Sequence, residues 1–478
     1  MSPSMYRTPL SEVPAFLPLL SFSIFSALFG TYAYPFPAAF IISLLASVGW
    51  AALGTGHPNR SSLQVSAVLL VLTFLGLFYI SFVISRGDEP PRTVHERGTV
   101  LSARKWGREA SALVKSASGV FVLRLDAGSG IRTGDVVEFS GVSVPFKRAR
   151  ASREFDERLY WLAKGASSAV QVSSCKAAGR SLGPAAWRDS LSRRISEVLP
   201  PRTAGYALAS LTGERDEILS ELHRSVGTSH ILAVSGFHVG IAFAVCWFFM
   251  KRFRFRLYAI SAAIWLYVLL AGASPSSLRA AFMIEIMIAG RVVGRLGNGF
   301  NSACAAGSAM LLANPWLFWD IGWRLSMLAV LAITALARSE LSRPVKAALA
   351  SPLAWLATSV QAAWTFGSVP LAGLAANFLS LPAFAILFPV SWILSLPALL
   401  GIPGGSAASA VAEFLFERWE VLSLNILVLF PWETSFSNWL VLLCAPALTY
   451  FFAGASGFSQ TRAAFASGIS LAGVFLLL

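Results

Sequence analysis

Residues 227–250 read GTSHILAVSGFHVGIAFAVCWFFM, in which histidines, serines and glycines lead directly into a strongly apolar run. A hydroxyl or imidazole at the start of an apolar membrane helix is costly unless it has a partner. The contrast therefore predicts a transmembrane helix whose first turn contacts something polar. Ser235 and His238 are three residues apart, so they share a helical face, and His230 precedes them.

The composition of the whole chain predicts a polytopic α-helical membrane protein. Its 478 residues are 55% hydrophobic and only 13% charged, which is unusual for a soluble domain. Several apolar runs reach the roughly 20 residues that cross a bilayer. No clear cleavage site separates the first run from the second, so we expect an uncleaved first span. The four cysteines are widely separated and predict no disulfide framework and no zinc site.

Hydrophobicity divides the chain into four predicted segments. They are N-terminal transmembrane helices at 1–84 (spans near 15–32, 36–54 and 64–84), an inserted small extracytoplasmic β domain at 85–180, amphipathic or re-entrant helices at 181–226, and a second transmembrane domain at 227–478. Basic clusters such as KRFRFR fall on one side when the spans are counted, and the positive-inside rule assigns that side to the cytoplasm. We therefore expect a multi-pass protein of the bacterial inner (cytoplasmic) membrane with the β domain outside.

The β domain is predicted from RGTVLSARKW, ASALVKSA, GVFVLRLDAG and GDVVEFSGVSVPF, which alternate apolar and polar residues between turn signals. Four or five short strands indicate a small barrel, and an OB-like fold is a natural candidate. A basic groove with stacking aromatics binds single-stranded nucleic acid; aromatics that fill the barrel, with solvated charges outside, would give the same pattern, and both interpretations are open. The residues predicted to bind a strand are Arg104, Lys105, Trp106, Arg108, Lys147 and Arg148.

Four polar constellations interrupt the apolar runs after residue 226. The first is the opening stretch, where two glycines allow close approach of another backbone. In the second, Ser274 and Pro275 predict a helix start with Arg279 one turn inside, which suits a phosphate or other anion unless Glu285 neutralises the arginine. In the third, an Asp320–Arg324 ion pair would be purely structural; in the fourth, at 359–378, helix–helix hydrogen bonds alone would explain the polar side chains. Together they predict a lined cavity with the residues His230, Ser235, Gly236, His238, Gly240, Ser277, Arg279, Asp320, Arg324, Ser326, Gln361 and Asn377.

The stretch GTSHILAVSGFHVGI closely resembles the G-x-x-H-x-L-A-[IV]-S-G-x-H-x-G signature of the ComEC-type DNA internalisation competence channels. YVLLAGASPSSLRAAFM and DIGWRLSMLAV are similar to two further segments of that family. The resemblance implies an extracytoplasmic OB domain, a helical channel domain, and passage of single-stranded DNA through the bilayer during natural transformation. Trp323 and Arg324 stand where the family usually has Phe and Gln, so we expect the lining to differ here.

The resemblance implies a conduit and not an enzyme. Many relatives continue into a metallo-β-lactamase-like domain with an H-x-H-x-D-H motif, which this sequence lacks, so nuclease activity, catalytic residues, a metal and a cofactor are not expected. The absence of a GxxxxGK[ST] loop indicates that a separate cytosolic ATPase or helicase supplies the energy. The other partners implied are single-stranded DNA, membrane lipid, an extracytoplasmic DNA-receptor protein and a separate nuclease.

Two other function classes stay open as alternatives. An intramembrane serine hydrolase would use AVSGF as its nucleophile turn, but position 233 is alanine and His238 lies one turn from Ser235 instead of on another helix. A small-solute transporter would explain the spans, but inverted repeats are not visible and a basic soluble domain has no evident role in it. A zinc site on His230 and His238 would need ligands from distant helices.

Overall fold

The structure, a computed structural model, describes residues 16–30, 60–85, 91–106, 109–126, 128–149, 154–294, 298–339, 341–435, 448–450 and 454. These residues form a mostly helical protein with a closed β-barrel. The chain divides into two compact units, which we call the barrel unit and the helical unit. The barrel unit comprises Arg86–Ala281 and Leu381–Asn425; the helical unit comprises Met1–Ser85, Phe282–Ser380 and Ile426–Leu478.

Two helices precede the barrel in the chain. Helix α1 spans Phe16–Gly30 and helix α2 spans Arg60–Ser85, and both belong to the helical unit. They occupy the first and third of the three predicted N-terminal spans. The second predicted span, at 36–54, lies outside the described residues.

The barrel is formed by β1 (Arg92–Trp106), β2 (Glu109–Ser116), β3 (Val120–Asp126), β4 (Asp135–Val144) and β5 (Ser168–Arg180). The strand order is β1-β2-β3-β5-β4, and β4 pairs with β1 to close the barrel. Only the β3–β5 pair is parallel among these strands. The predicted small barrel is thus confirmed, with the five strands that an OB-fold also has.

Aromatic side chains fill the barrel. Phe121 and Phe139 are almost fully buried, and their ring centroids are 6.1 Å apart in an edge-to-face arrangement, which is favourable for aromatic pairs. Phe146 is buried in a second cluster, against Leu113 and Val122. Because these rings form the core, they are not available to stack on bases, and the packing interpretation applies to them.

After β4 the chain forms α3 (Glu157–Ala163), and after β5 it forms α4 (Pro184–Val198). The start of α4 packs directly on the barrel loop that precedes β4. At Gly134 in that loop, a Cβ would collide with the Cα of Ala186. The later part of α4 buries Ile195 against Ala207 and Ala398, so protein covers part of its apolar face.

The rest of the barrel unit before residue 281 alternates helices with tight turns. In order they are α5 (Pro201–Ala207), a π-helical turn (Leu208–Thr212), α6 (Glu217–Ser225), a 3₁₀ turn (Ser229–Ile231), α7 (Gly236–Phe249) and α8 (Arg256–Leu270). The following elements are α9 (Pro275–Val292), α10 (Gly299–Ala313), a 3₁₀ turn (Pro315–Trp319), α11 (Ile321–Arg338), α12 (Arg343–Phe366), β6 (Ser368–Pro370), α13 (Ala372–Leu399), α14 (Gly405–Leu429) and β7 (Glu433–Ser435). Short strands β6 and β7 pair antiparallel.

Two of the described helices, α11 and α13, are long and apolar enough to cross a bilayer. The apolar helices α7 and α8 are shorter, and at 1.5 Å per residue each falls short of a hydrocarbon core of about 30 Å. The number of further spans in the predicted transmembrane domain stays a prediction.

The contact at Gly134 predicts an unusually damaging alanine substitution. Gly134 has φ +87°, and its Cβ would meet the backbone of α4; Gly130, in the same loop, has φ +68° and no described atom within 4 Å. Gly130→Ala should therefore cost only the left-handed strain of about 1–2 kcal/mol, whereas Gly134→Ala must also separate the loop from α4. Thermal unfolding of both variants in detergent measures the difference, and equal shifts in midpoint would contradict this packing.

Candidate functional site

The stretch 227–241 ends in the capped start of α7. Ser235 is the N-cap residue, and its Oγ accepts a hydrogen bond from the backbone N–H of Phe237 at 3.3 Å. Nδ1 of His238 accepts from the backbone N–H of Ser235 at 3.4 Å and lies 3.2 Å from its Oγ. This reciprocal arrangement is a capping box. The side chains of Ser235 and His238 thus accept hydrogen bonds from the backbone N–H groups of Phe237 and Ser235 at the start of α7.

The imidazole of His238 is fully buried. Its ring centroid lies 4.7 Å from that of Phe388 on α13. Its Nε2 has no hydrogen-bond partner among the described residues, which is uncommon for a buried polar atom. In this conformation the side chain packs against protein, and its predicted contact with a nucleic-acid strand stays a prediction.

The turn that precedes α9 is hydrogen-bonded to the same stretch. Oγ of Ser274 donates to the carbonyl of Val234 at 2.8 Å, and the backbone N–H of Gly236 donates to Oγ of Ser276 at 3.3 Å. Helix α9 begins at Pro275, as predicted. The starts of α7 and α9 therefore lie side by side.

Arg279 lies one turn into α9 and is only 6% exposed. A Cβ on Gly236 would lie 2.9 Å from its Nη2, so a side chain comes close at Gly236 and not the second backbone that was expected. A Cβ added at Gly240 would have no described atom within 4 Å. Gly240 instead lines an apolar cavity of about 300 Å³. Ser277 is fully buried, and its Oγ donates to the carbonyl of Ser274 at 2.9 Å.

His230 belongs to the 3₁₀ turn before α7. Its side chain is exposed, yet the protein around it lowers its pKa to about 4. The charge of His230 also lowers the pKa of the buried His223 nearby.

The other predicted path residues belong to the helical unit. Asp320 is the N-cap of α11 and accepts from the backbone N–H of Trp323 at 2.9 Å. Arg324 does not form the ion pair with Asp320 that was one alternative; its Nη1 donates to Oε1 of Gln361 at 3.4 Å, and its Nε has no partner among the described residues. The guanidinium carbon is 5.8 Å from the ring centroid of Trp319, within the range of a cation–π contact.

Gln361 also donates through Nε2 to Oγ1 of Thr365 at 3.0 Å, on α12. Ser326 is partly buried on α11. Asn377 on α13 is 9% exposed, and its Oδ1 has no partner among the described residues. The structure thus brings Arg324 and Gln361 into contact in the helical unit, and Ser235, Gly236, His238, Ser277 and Arg279 together in the barrel unit.

The predicted strand-binding residues of the barrel do not form one group. Arg104 is exposed near the end of β1, where Lys105 and Trp106 follow it. Lys147 and Arg148 are exposed just after β4, whose end pairs with the beginning of β1. The two sets therefore lie at opposite ends of β1. Arg108 lies outside the described residues.

A buried polar chain that the sequence pattern did not predict supports the motif. The hydroxyl of Tyr206 lies 2.9 Å from Nε2 of His223, and Nδ1 of His223 lies 2.8 Å from Oγ1 of Thr228, the second residue of the quoted stretch. His223 and Leu219 are both buried and four residues apart on α6. A histidine on the apolar face of a short amphipathic helix was the available signal.

A second missed contact involves the π-helical turn. The carbonyl of Ser210 accepts from the hydroxyl of Tyr267 at 2.7 Å, and its Oγ accepts from the indole N–H of Trp392 at 3.1 Å. π-Helical turns leave backbone groups that need other partners, and they are frequent at functional sites. No local pattern identifies these partners, because they come from α8 and α13.

The burial of His223 predicts loss of stability in acid. Burial lowers its pKa to about 4, below the usual 6.5. The unfolded chain therefore binds a proton at this residue between pH 6.5 and 4 that the folded chain does not, and stability falls by up to about 3 kcal/mol as the pH decreases through this range. His223→Gln should flatten the acid side of the unfolding profile, whereas His95→Gln, on the exposed surface of β1, should not; equal profiles would contradict this role.

Comparison with known proteins places these features in a family. The model of the competence protein family matches residues 210–463, more than half of the chain. ComE operon protein 3 of Bacillus subtilis (strain 168) is 32% identical over 162 residues, which are 32% of this chain and 20% of that relative. The chain therefore matches about a fifth of the length of this curated relative. No solved structure matches. By its family match, the chain belongs to the competence protein family.

Proposed function

We propose that this protein acts in DNA uptake for competence, as a channel that conducts incoming single-stranded DNA across the bacterial inner membrane into the cytoplasm. The observation that carries the proposal is Arg279, a cation buried beside Gly236 where the apolar helices α7 and α9 begin. This arrangement lies inside the interval that matches the competence family.

The chemistry of a nucleic-acid strand fits cations and hydroxyls at these positions. Phosphate groups need basic and hydroxyl partners, and contacts with the backbone alone leave the base sequence unread. Arg279 would supply such a partner in the barrel unit and Arg324 in the helical unit. The unpaired Nε of Arg324 is a donor that an anion would satisfy.

The surface of the helices supports a membrane location. Large apolar side chains point outward on α2, α13 and α14, and Phe78, Ile386 and Val428 are among the most exposed. Contiguous exposed apolar surface of this kind is rare on soluble monomers. The basic loop before α8 also exposes Phe253 and Phe255, as interfacial anchors do. The multi-pass topology, with the barrel outside, is part of the proposal.

The geometry around Ser235 gives no support to the hydrolase alternative. A serine nucleophile requires a base that a third group orients. Here Oγ of Ser235 caps α7, and the far nitrogen of His238 has no partner among the described residues. We therefore propose a conduit that leaves the strand chemically unchanged. A DNA-receptor protein, a separate nuclease and a cytosolic ATPase or helicase would provide capture, strand degradation and energy.

The proposal is tested by DNA internalisation in a deletion strain of the host. Wild-type protein should restore entry of labelled DNA into a nuclease-resistant state. Arg279→Gln should leave surface-bound DNA unchanged but reduce internalisation by at least about tenfold, because a buried charge-assisted contact contributes about 1.5–3 kcal/mol.

The matched control is Arg224→Gln. Arg224 is exposed on α6, and among the described residues its guanidinium pairs only with Glu221, at 3.0 Å, so its replacement should leave uptake unchanged. Two results would contradict the proposal. They are a deletion strain that internalises DNA normally, and an Arg279→Gln protein that restores uptake as well as wild type does.

A further inference from the structure

Arg188, near the start of α4, connects the barrel to the turn between α8 and α9. Its Nη2 donates to the carbonyl of Leu101 on β1 at 2.6 Å. The guanidinium of Arg188 also packs directly on the backbone of the α8–α9 turn. A Cβ added at Gly272 in that turn would overlap with Nη1 of Arg188. Gly272 has φ +83°, a conformation that also favours glycine. The space for Arg188 therefore depends on glycine at this position.

Two further arginines come close to this guanidinium. Arg104 lies on β1 three residues after Leu101, whose carbonyl accepts the hydrogen bond from Arg188, and the charge of Arg104 lowers the pKa of both Arg188 and Arg215. Arg215 belongs to the loop between the π-helical turn and α6. That loop packs on the α8–α9 turn, because a Cβ on Gly213 would lie 2.9 Å from the carbonyl oxygen of Ala271. A strand, a helix start and a loop thus bring three arginines to one place.

The three arginines have few acidic neighbours. Glu214 and Asp189 act on Arg188, but Asp189 is already paired with Arg180 and with Arg193. Arg104 and Arg215 are exposed, and neither has a hydrogen-bond or ion-pair partner within the part of the chain that the structure describes. Burial lowers the pKa of Arg188 and the surrounding protein lowers that of Arg215, and the charge of Arg104 lowers both further. The group therefore has a positive excess that an anion would compensate.

We infer that Arg104, Arg188 and Arg215 form a binding site for the phosphate groups of a single nucleic-acid strand, at the junction of the barrel with the α8–α9 turn. Guanidinium groups recognise phosphate oxygens through paired N–H donors. The inference rests on the proposed function, because it names where a strand passes from the barrel to the helices. Only Arg104 was expected from the sequence to bind DNA; Arg188 and Arg215 come from the structure.

The position of this arginine site favours a strand over a small anion. The α8–α9 turn that Arg188 contacts also contains Ser274, whose Oγ donates to Val234 at 2.8 Å. The site is therefore continuous, through one turn, with the starts of α7 and α9 where Arg279 lies. A strand bound by the arginine site would be directed toward the buried cation of the motif. Contacts with the phosphates alone would make this binding independent of sequence.

The test measures binding of a fluorescent single-stranded oligonucleotide to the full chain in neutral-lipid nanodiscs, at several salt concentrations. The main variant is Arg104→Ala with Arg215→Ala, because both side chains are exposed and their loss leaves the Leu101 contact intact. Each phosphate contact contributes about 0.7 to the slope of log affinity against log salt for single strands. The double variant should therefore reduce the magnitude of the slope by about 1.4. Arg188→Gln should reduce it by about 0.7.

Arg97→Ala is the matched control, because Arg97 is exposed on β1 and does not act on Arg188 or Arg215; its slope should equal that of wild type. Wild-type binding with an unchanged slope in the double variant would overturn the arginine site and leave the proposed function standing. No oligonucleotide binding by wild type at low salt would overturn both. If the double variant loses only affinity for anionic-lipid vesicles, the site belongs to lipid headgroups and the inference is wrong.

Discussion

Helices α7 and α9 begin side by side within the protein, and the first N–H groups of each helix have no partner in the helix itself. A buried N–H that stays unpaired costs about as much as a lost hydrogen bond. Ser235 supplies an acceptor at one start, and Ser276 accepts from Gly236 across the gap. Ser274 in turn donates to the carbonyl of Val234. The hydroxyls that precede an apolar run are thus first of all the means by which two helix starts pack together.

The packing of the two helix starts also determines the position of Arg279. Because the two starts are joined by hydrogen bonds, Arg279 on α9 comes against the backbone of α7 at Gly236, where any side chain would meet its guanidinium. The glycine and the serines of the motif therefore serve one arrangement, which holds a cation in place among apolar helices. The chain Tyr206–His223–Thr228 supports the other end of the motif. A guanidinium whose surroundings are fixed in this way is preorganised for an anion.

Sequence reasoning was reliable where the signal is local. Alternation predicts strands β1 to β4, and Ser-Pro predicts the start of α9, because both depend on neighbouring residues. It failed where a residue is defined by a distant partner. The carbonyl of Leu101 is 87 residues from Arg188 in the chain, and Trp392 is 182 residues from Ser210. Aromatic composition likewise could not separate a filled barrel from a stacking surface, because both place phenylalanines on the same strands.

Arginines that are partly withdrawn from water stay charged, because their pKa lies far above neutrality even after it is lowered. Arg104 and Arg215 are exposed and have no ion-pair partner among the described residues, so in the proposed path a strand that supplies phosphates in succession would pair with them one after another. Conduction requires sites that bind well enough for entry and weakly enough for release. The proposed site at Arg104, Arg188 and Arg215 would meet both conditions, since two of its cations are exposed and Glu214 acts on the third. In the proposed path a strand would meet the excess charge at the barrel junction first and the buried Arg279 next, an order that would draw a polyanion inward without trapping it.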